Sequence, residues 1–135
     1  GLLPGALLHN NTQKFICKNV NIRCETTDSL VTNQIKTGAA LKIPIAHGEG
    51  RFYTDADTLA ELEANDQILF RYCDENGKLN DTANPNGSLS NIAGVTNKNR
   101  NVFGMMPHPE RAADDNLGNL DGKALFESIL AGVSA

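Results

Sequence analysis

Apolar residues along this chain fall into two rhythms. Over 14–24 the run KFICKNVNIRC alternates imperfectly between apolar and polar positions and is rich in β-branched and aromatic types, which predicts a strand. The same pattern predicts strands at 39–46 (AALKIPIA), 67–73 (QILFRYC), 92–96 and 102–106, the last two joined through Asn97-Lys98-Asn99-Arg100 as a hairpin. A helical rhythm appears twice. Thr54 opens the first helix as its cap, with Asp57 three residues on as in a capping box and Asp55 adding negative charge. Leu59 and Leu62 give that helix a buried stripe, and Asn65-Asp66 ends it. A second helix spans about 121–133, with Leu125, Phe126, Ile129, Leu130 and Val133 on one face. Residues 1–13 read as a Pro/Gly loop and a polar patch, His9-Asn10-Asn11-Thr12. Asp74-Glu75-Asn76-Gly77 and Asn84-Pro85-Asn86-Gly87-Ser88 are turns. The expectation is a single α/β domain over 1–135, with a mixed sheet and flanking helices.

Composition narrows the classes of function. The chain has 135 residues, enough for one core and too few for two comfortable ones. A net charge of −4 argues against a nucleic-acid partner, which requires a basic face, and 5% aromatics without tryptophan argues against base stacking. No run of roughly 18 apolar residues spans a membrane, and no signal-peptide pattern stands at the start. Cys17, Cys24 and Cys73 form an odd set without a CxxC pair, which fits free thiols in a reducing cytoplasm. The opening Gly1-Leu2-Leu3-Pro4-Gly5 is apolar and lacks a methionine, so the expectation is the back part of a longer polypeptide.

Met106-Pro107-His108-Pro109-Glu110-Arg111 carries the strongest chemical pattern. Prolines on both sides of the histidine favour a stiff, extended backbone. An imidazole backed by a carboxylate is the base half of a nucleophile-activating triad, because the acid orients the ring and stabilises its protonated form. A surface His–Glu pair at a strand end is the plainer alternative. His47 and Glu49 repeat the spacing within His47-Gly48-Glu49-Gly50, where small neighbours admit a ligand to the backbone or simply form a hinge. The four residues together could form a two-His, two-carboxylate metal site, but the spacing matches no common zinc pattern and no metal ligand is assigned. The cysteines lie in or beside predicted strands rather than in a glycine-flanked turn, and read as packing residues. Asn84 to Ser88 offers many hydrogen-bonding groups that could brace the site, although turn chemistry alone accounts for it.

With these motifs in view the chain resembles a known family. LLPGALLHN (2–10), KFICKNVNIR (14–23), IPIAHGEGRFY (43–53), FRYCDENG (70–77), ANPNGSLSNIAG (83–94) and MMPHPER (105–111) resemble, in order, the glutaminase subunits of bacterial phosphoribosylformylglycinamidine synthases, which are class I (triad) glutamine amidotransferases. The resemblance implies a flavodoxin-like α/β fold, truncated at its N-terminus. It also implies hydrolysis of glutamine to glutamate and ammonia, for conversion of formylglycinamide ribonucleotide to formylglycinamidine ribonucleotide in purine biosynthesis. His108 and Glu110 match the family's histidine and glutamate, and Ala46, His47 and Gly48 fall where related enzymes hold glutamine. The family's cysteine elbow and oxyanion loop would precede Gly1, so this chain alone is expected to be inactive. The implied partners are a synthetase large subunit and a small accessory subunit. No cofactor is expected in this chain: ATP and magnesium would sit on the synthetase, since no phosphate-cradling glycine loop is present here. A non-catalytic binding module for a synthetase is the competing expectation. A sheet lacking its first strands would also expose edges that invite association.

Overall fold

The computed structural model describes residues 1–134. Its regular elements are β1 (Ala6–Leu8), β2 (Ile16–Cys24), β3 (Ala40–His47), β4 (Arg51–Tyr53), α1 (Ala56–Ala64), β5 (Ile68–Cys73), β6 (Ile92–Thr96), β7 (Phe103–Met105) and α2 (Lys123–Val133). One sheet has the order β3-β2-β5-β6-β7, and β1 pairs with β4 in a separate ribbon. The α/β class stands, with one difference in the sheet. All ladders among the described residues are antiparallel. β3 and β5 do run the same way, but β2 lies between them and bonds both, so no parallel pair forms.

Burial explains the strands. Val20, Ile22 and Cys24 of β2 join Ile43, Ile45, Phe70, Tyr72 and Leu125 in the main core. Phe70 is closed to solvent, and burying such a side chain contributes roughly 1.5–3 kcal/mol. A second cluster gathers Phe52, Leu62, Ile68, Ile92 and Val95, which fastens β4 and α1 to the sheet. Gly94 opposes Phe70 and Met105 so closely that a Cβ would meet their side chains at 3.2 and 3.0 Å.

Three local expectations shift. The cap of α1 is Asp55 rather than Thr54: its carboxylate accepts from the Thr58 N–H at 2.8 Å, while Thr54 is buried. The buried face of α2 is turned by about one residue from the apolar stripe. Leu125 and Ser128 are buried, Ile129 packs on the core and Gly132 lies against Leu30, whereas Phe126, Leu130 and Val133 are exposed. Ser128 can be interior because its hydroxyl donates to the Ala124 carbonyl at 2.8 Å and accepts from the Gln34 N–H at 3.0 Å. The third shift is at Glu110. The backbone at His108 is non-helical, with φ −102° and ψ 88°, but Pro109–Ala112 is a turn of 3-10 helix carrying Glu110. Proline disfavours helical backbone in its predecessor yet suits the first helical position, so one residue produces both conformations.

The outer edge of β3 is partly occupied. The His108 N–H donates to the Pro44 carbonyl at 2.8 Å. The Asn119 amide donates to the Lys42 carbonyl at 2.6 Å, and Asp121 accepts from the Lys42 N–H at 2.7 Å. The unpaired edge expected from the sequence is therefore shortened on β3, where Lys42 and Pro44 are occupied, while the far side of the three-residue β7 has no partner strand among the described residues.

Behind this seam the Gly122 N–H donates to the Ala112 carbonyl at 2.7 Å, and a Cβ on Gly122 would run into the carbonyls of Pro109 and Ala112. Both are backbone atoms that yield little. Gly122→Ala is expected to destabilise the protein by about 1–3 kcal/mol. A denaturant midpoint indistinguishable from wild type would contradict that packing.

Candidate active site

His108 and Glu110 meet as the spacing suggested. His108 Nδ1 lies 2.8 Å from Glu110 Oε1, and Arg111 Nε stands 3.8 Å from the same oxygen. The histidine is about one-third exposed and the glutamate about half. Burial alone would raise the Glu110 pKa. Its own backbone N–H, the His108 hydrogen bond and the charges of His108 and Arg111 outweigh that and hold it below the usual glutamate range. An ionised Glu110 keeps the proton on His108 Nδ1, and His108 Nε2 has no partner among the described residues. An oriented imidazole with a free Nε2 can accept and return a proton.

His47 is built in the opposite way. It ends β3 with its ring inside the protein, 6% exposed. Asn10 Oδ1 lies 3.0 Å from Nδ1, and Asn86 Nδ2 lies 3.4 Å from Nε2. The orientation of each amide is fixed elsewhere. Asn10 Nδ2 donates to the carbonyls of Lys14 and His47, both at 2.8 Å. Asn86 Nδ2 donates to the Gly50 carbonyl at 2.8 Å, and its Oδ1 accepts from the Ser88 N–H at 3.0 Å. The network therefore selects the neutral tautomer with hydrogen on Nδ1, leaving Nε2 as an acceptor. Burial lowers the His47 pKa and the nearby charge of His108 lowers it further, against a raising contribution from its own backbone.

The expected substrate segment is therefore divided. Ala46 and Gly48 are half-buried, while the His47 side chain is occupied internally. Glu49 does not pair with His47; it is exposed and lies 3.3 Å from His9 Nε2. This dissolves the four-residue metal arrangement, and no group of three or more His, Cys, Asp or Glu that could hold a metal occurs among the described residues. Cys24 and Cys73 are buried, and burial pushes both thiols up to about 11. Cys17 is exposed, so packing does not account for it, and no hydrogen bond joins it to His108.

Asn10 is the residue that the sequence analysis missed. It was one amide in a polar patch, with nothing to mark it, and its partners come from a strand end 37 residues away. Asn86 lay within a turn already noted for bracing potential. Asn84 Oδ1 folds that turn by accepting from the Gly87 N–H at 2.9 Å and the Ser88 N–H at 3.2 Å.

The model of the CobB/CobQ-like glutamine amidotransferase domain matches residues 4–123. Among curated relatives, the phosphoribosylformylglycinamidine synthase subunit PurQ of Aquifex aeolicus is 56% identical over 131 residues, covering 97% of this chain and 58% of the relative. Its counterpart from Methanosarcina barkeri is 54% identical over 129 residues, covering 96% and 56%. The structure of PurLQS from Thermotoga maritima contains a chain that superposes with a TM-score of 0.81 at 43% identity, covering 98% of this chain and 55% of that one. The chain thus spans less than three-fifths of the length of these relatives.

The buried neutral imidazole has a consequence for pH. Unfolded histidine titrates near about 6.5. The folded His47 titrates lower, so between the two values the unfolded state binds a proton that the folded state does not, and stability rises with pH. On acidification the loss begins near pH ~6.5 and is complete below the folded value. His47→Asn retains an N–H for Asn10 and does not titrate. Its stability should vary less between about pH 7.5 and about pH 5 than that of wild type, as read from denaturant midpoints. Parallel curves would refute the assignment.

Proposed function

This chain belongs to the CobB/CobQ-like glutamine amidotransferase domain family, and on that premise we propose that it forms part of the glutaminase of a phosphoribosylformylglycinamidine synthase. The observation that carries this reading is the His108–Glu110 pair at 2.8 Å with Nε2 of the ring unpartnered. The reaction is glutamine plus water to glutamate plus ammonia. A thiolate attacks the side-chain amide carbon while His108 Nε2 takes the thiol proton. The tetrahedral intermediate breaks its C–N bond, and ammonia leaves with the proton that His108 returns. Water then attacks the thioester, giving His108 a proton, and cleavage of the C–S bond releases glutamate and restores the thiol. Glu110 holds the ring and offsets its transient positive charge.

The thiol comes from a segment of the polypeptide other than these residues. Supporting this, Cys24 and Cys73 are buried with raised pKa values, and Cys17 has no bond to the base. Glutamine is received along β3 beside His108. Lys42 turns both its N–H and its carbonyl away from β2, and the two-residue alternation of an antiparallel ladder turns Pro44 and Ala46 the same way. Pro44 is taken by His108, so the main chain of Ala46 comes next, followed by the Gly48 N–H, which has no partner among the described residues. An N–H suits the carboxylate of the substrate's amino-acid end, and a carbonyl suits its ammonium group.

The ammonia passes to a large synthetase subunit accompanied by a small accessory subunit, in keeping with the PurLQS assembly. ATP and magnesium belong to that synthetase, where formylglycinamide ribonucleotide becomes formylglycinamidine ribonucleotide. The assembly is cytoplasmic, in keeping with the free thiols of Cys17, Cys24 and Cys73. No described helix is long and apolar enough to cross a membrane.

Glutamine hydrolysis by the full-length polypeptide tests the assignment. His108→Ala should lower kcat by about 10²–10⁴, with Glu110→Gln in the same direction. Residues 1–135 alone should release no ammonia. Full activity in His108→Ala removes the proposed base, and hydrolysis by the isolated chain removes the external nucleophile.

A further inference from the structure

With both ring nitrogens engaged, the His47 side chain has nothing left to offer a ligand. What the ring governs is the path of the chain beyond it. Asn10 holds the turn from one side: its Oδ1 accepts from Gly50 N–H at 3.1 Å, its Nδ2 donates to the His47 carbonyl, and its backbone N–H donates to the Gly48 carbonyl at 2.9 Å. Asn86 holds it from the other side through the Gly50 carbonyl, and the Tyr72 hydroxyl stands 3.3 Å from the same amide. Asn10 and Asn86 are 1% and 0% exposed, so neither reaches solvent or substrate. Gly50 lies directly against the ring, where a Cβ would collide with its atoms. The segment from 47 to 50 is thus wrapped around one imidazole and fixed by two amides.

Among the described residues, the outward main-chain groups of Ala46 and the Gly48 N–H, on the β3 side of this wrap, carry no hydrogen bond. The neighbouring carbonyl of Pro44 already holds His108. Any rotation of the 47–50 turn would move those groups relative to the base.

We propose that Asn10, His47 and Asn86 are positioning residues for glutamine, a buried clamp that sets the attitude of the 46–48 main chain beside His108 without touching the substrate. The inference rests on the glutaminase reading above and assigns a task to three side chains that the chemistry itself does not use. A shift of about 1 Å in a positioning element can cost up to about 100-fold in catalysis, so loosening this clamp should be visible in kinetics as well as in stability.

The test uses the full-length polypeptide in its synthetase complex, with glutamine hydrolysis measured for Asn10→Ala, Asn86→Ala, His47→Ala, His47→Asn and, in parallel, His108→Ala. The three alanine variants at the clamp should raise KM for glutamine about tenfold or more, while kcat per folded molecule falls less than about threefold. His47→Asn keeps the donor facing Asn10 and should recover part of that KM. A merely structural role lowers the amount of folded enzyme and leaves KM alone. An unchanged KM, with activity tracking the folded fraction, therefore overturns the proposal. If His47→Ala does not fold, Asn86→Ala and His47→Asn decide, since each leaves one side of the clamp intact. His108→Ala separates the two levels. If it is inactive while the clamp variants keep the wild-type KM, only the positioning inference fails; if it is active, the glutaminase reading fails with it.

Discussion

The site depends on how the outer edge of β3 is occupied. Pro44 has no N–H, so at that point the strand offers only a carbonyl, and the His108 N–H takes it. Two residues earlier, Lys42 is held at both its polar groups by Asn119 and Asp121. This seam lays the segment that begins at His108 along the sheet and brings that residue beside the strand end that carries Ala46. Gly122 secures the same segment from behind, through Ala112. The 2.8 Å contact within the dyad is local in sequence, whereas its place on the sheet is set by this seam.

Two histidines in one neighbourhood are given unlike tasks by their surroundings. His108 is partly exposed and faces a carboxylate, which favours a proton on Nδ1. His47 is enclosed by neutral amides, one accepting and one donating, an arrangement that a second ring proton would break. The charge that forms on His108 is one of the influences keeping His47 neutral. Separation of roles by environment is a general device of sites that run proton transfer near neutral pH.

Much of the fold could be read from apolar alternation, because β2, β3, β5 and β6 each bury one face or both. The pattern failed where burial is not apolar or pairing is short. Ser128 sits inside α2 because its hydroxyl is satisfied locally, and that polar position concealed the true face of the helix. β1 and β4 are three residues each and stabilise only one another as a ladder, so neither stands out alone. Thr54 and Asp55 offer equivalent capping chemistry in adjacent positions, and only tertiary burial of Thr54 decides between them. The site divides similarly. His108 and Glu110 are two residues apart, and a proline-started turn is enough to bring them together. The same spacing at 47 and 49 led elsewhere, because the strand end buries the first side chain and exposes the second. The partners of His47 are common amides in distant loops, and nothing local distinguishes them from other turn asparagines.

The clamp also has a place in the order of folding events. Its bonds join His47 to residues 37 and 39 positions away, one on each side along the chain. Closing such loops costs chain entropy before any contact returns it, and contacts of large sequence separation slow folding. The strands β2, β3 and β5 must already be aligned for Asn10, His47, Tyr72 and Asn86 to meet. Strand pairing and the local His108–Glu110 contact are therefore separable from the 47–50 turn, whose conformation depends on amides contributed by two distant loops.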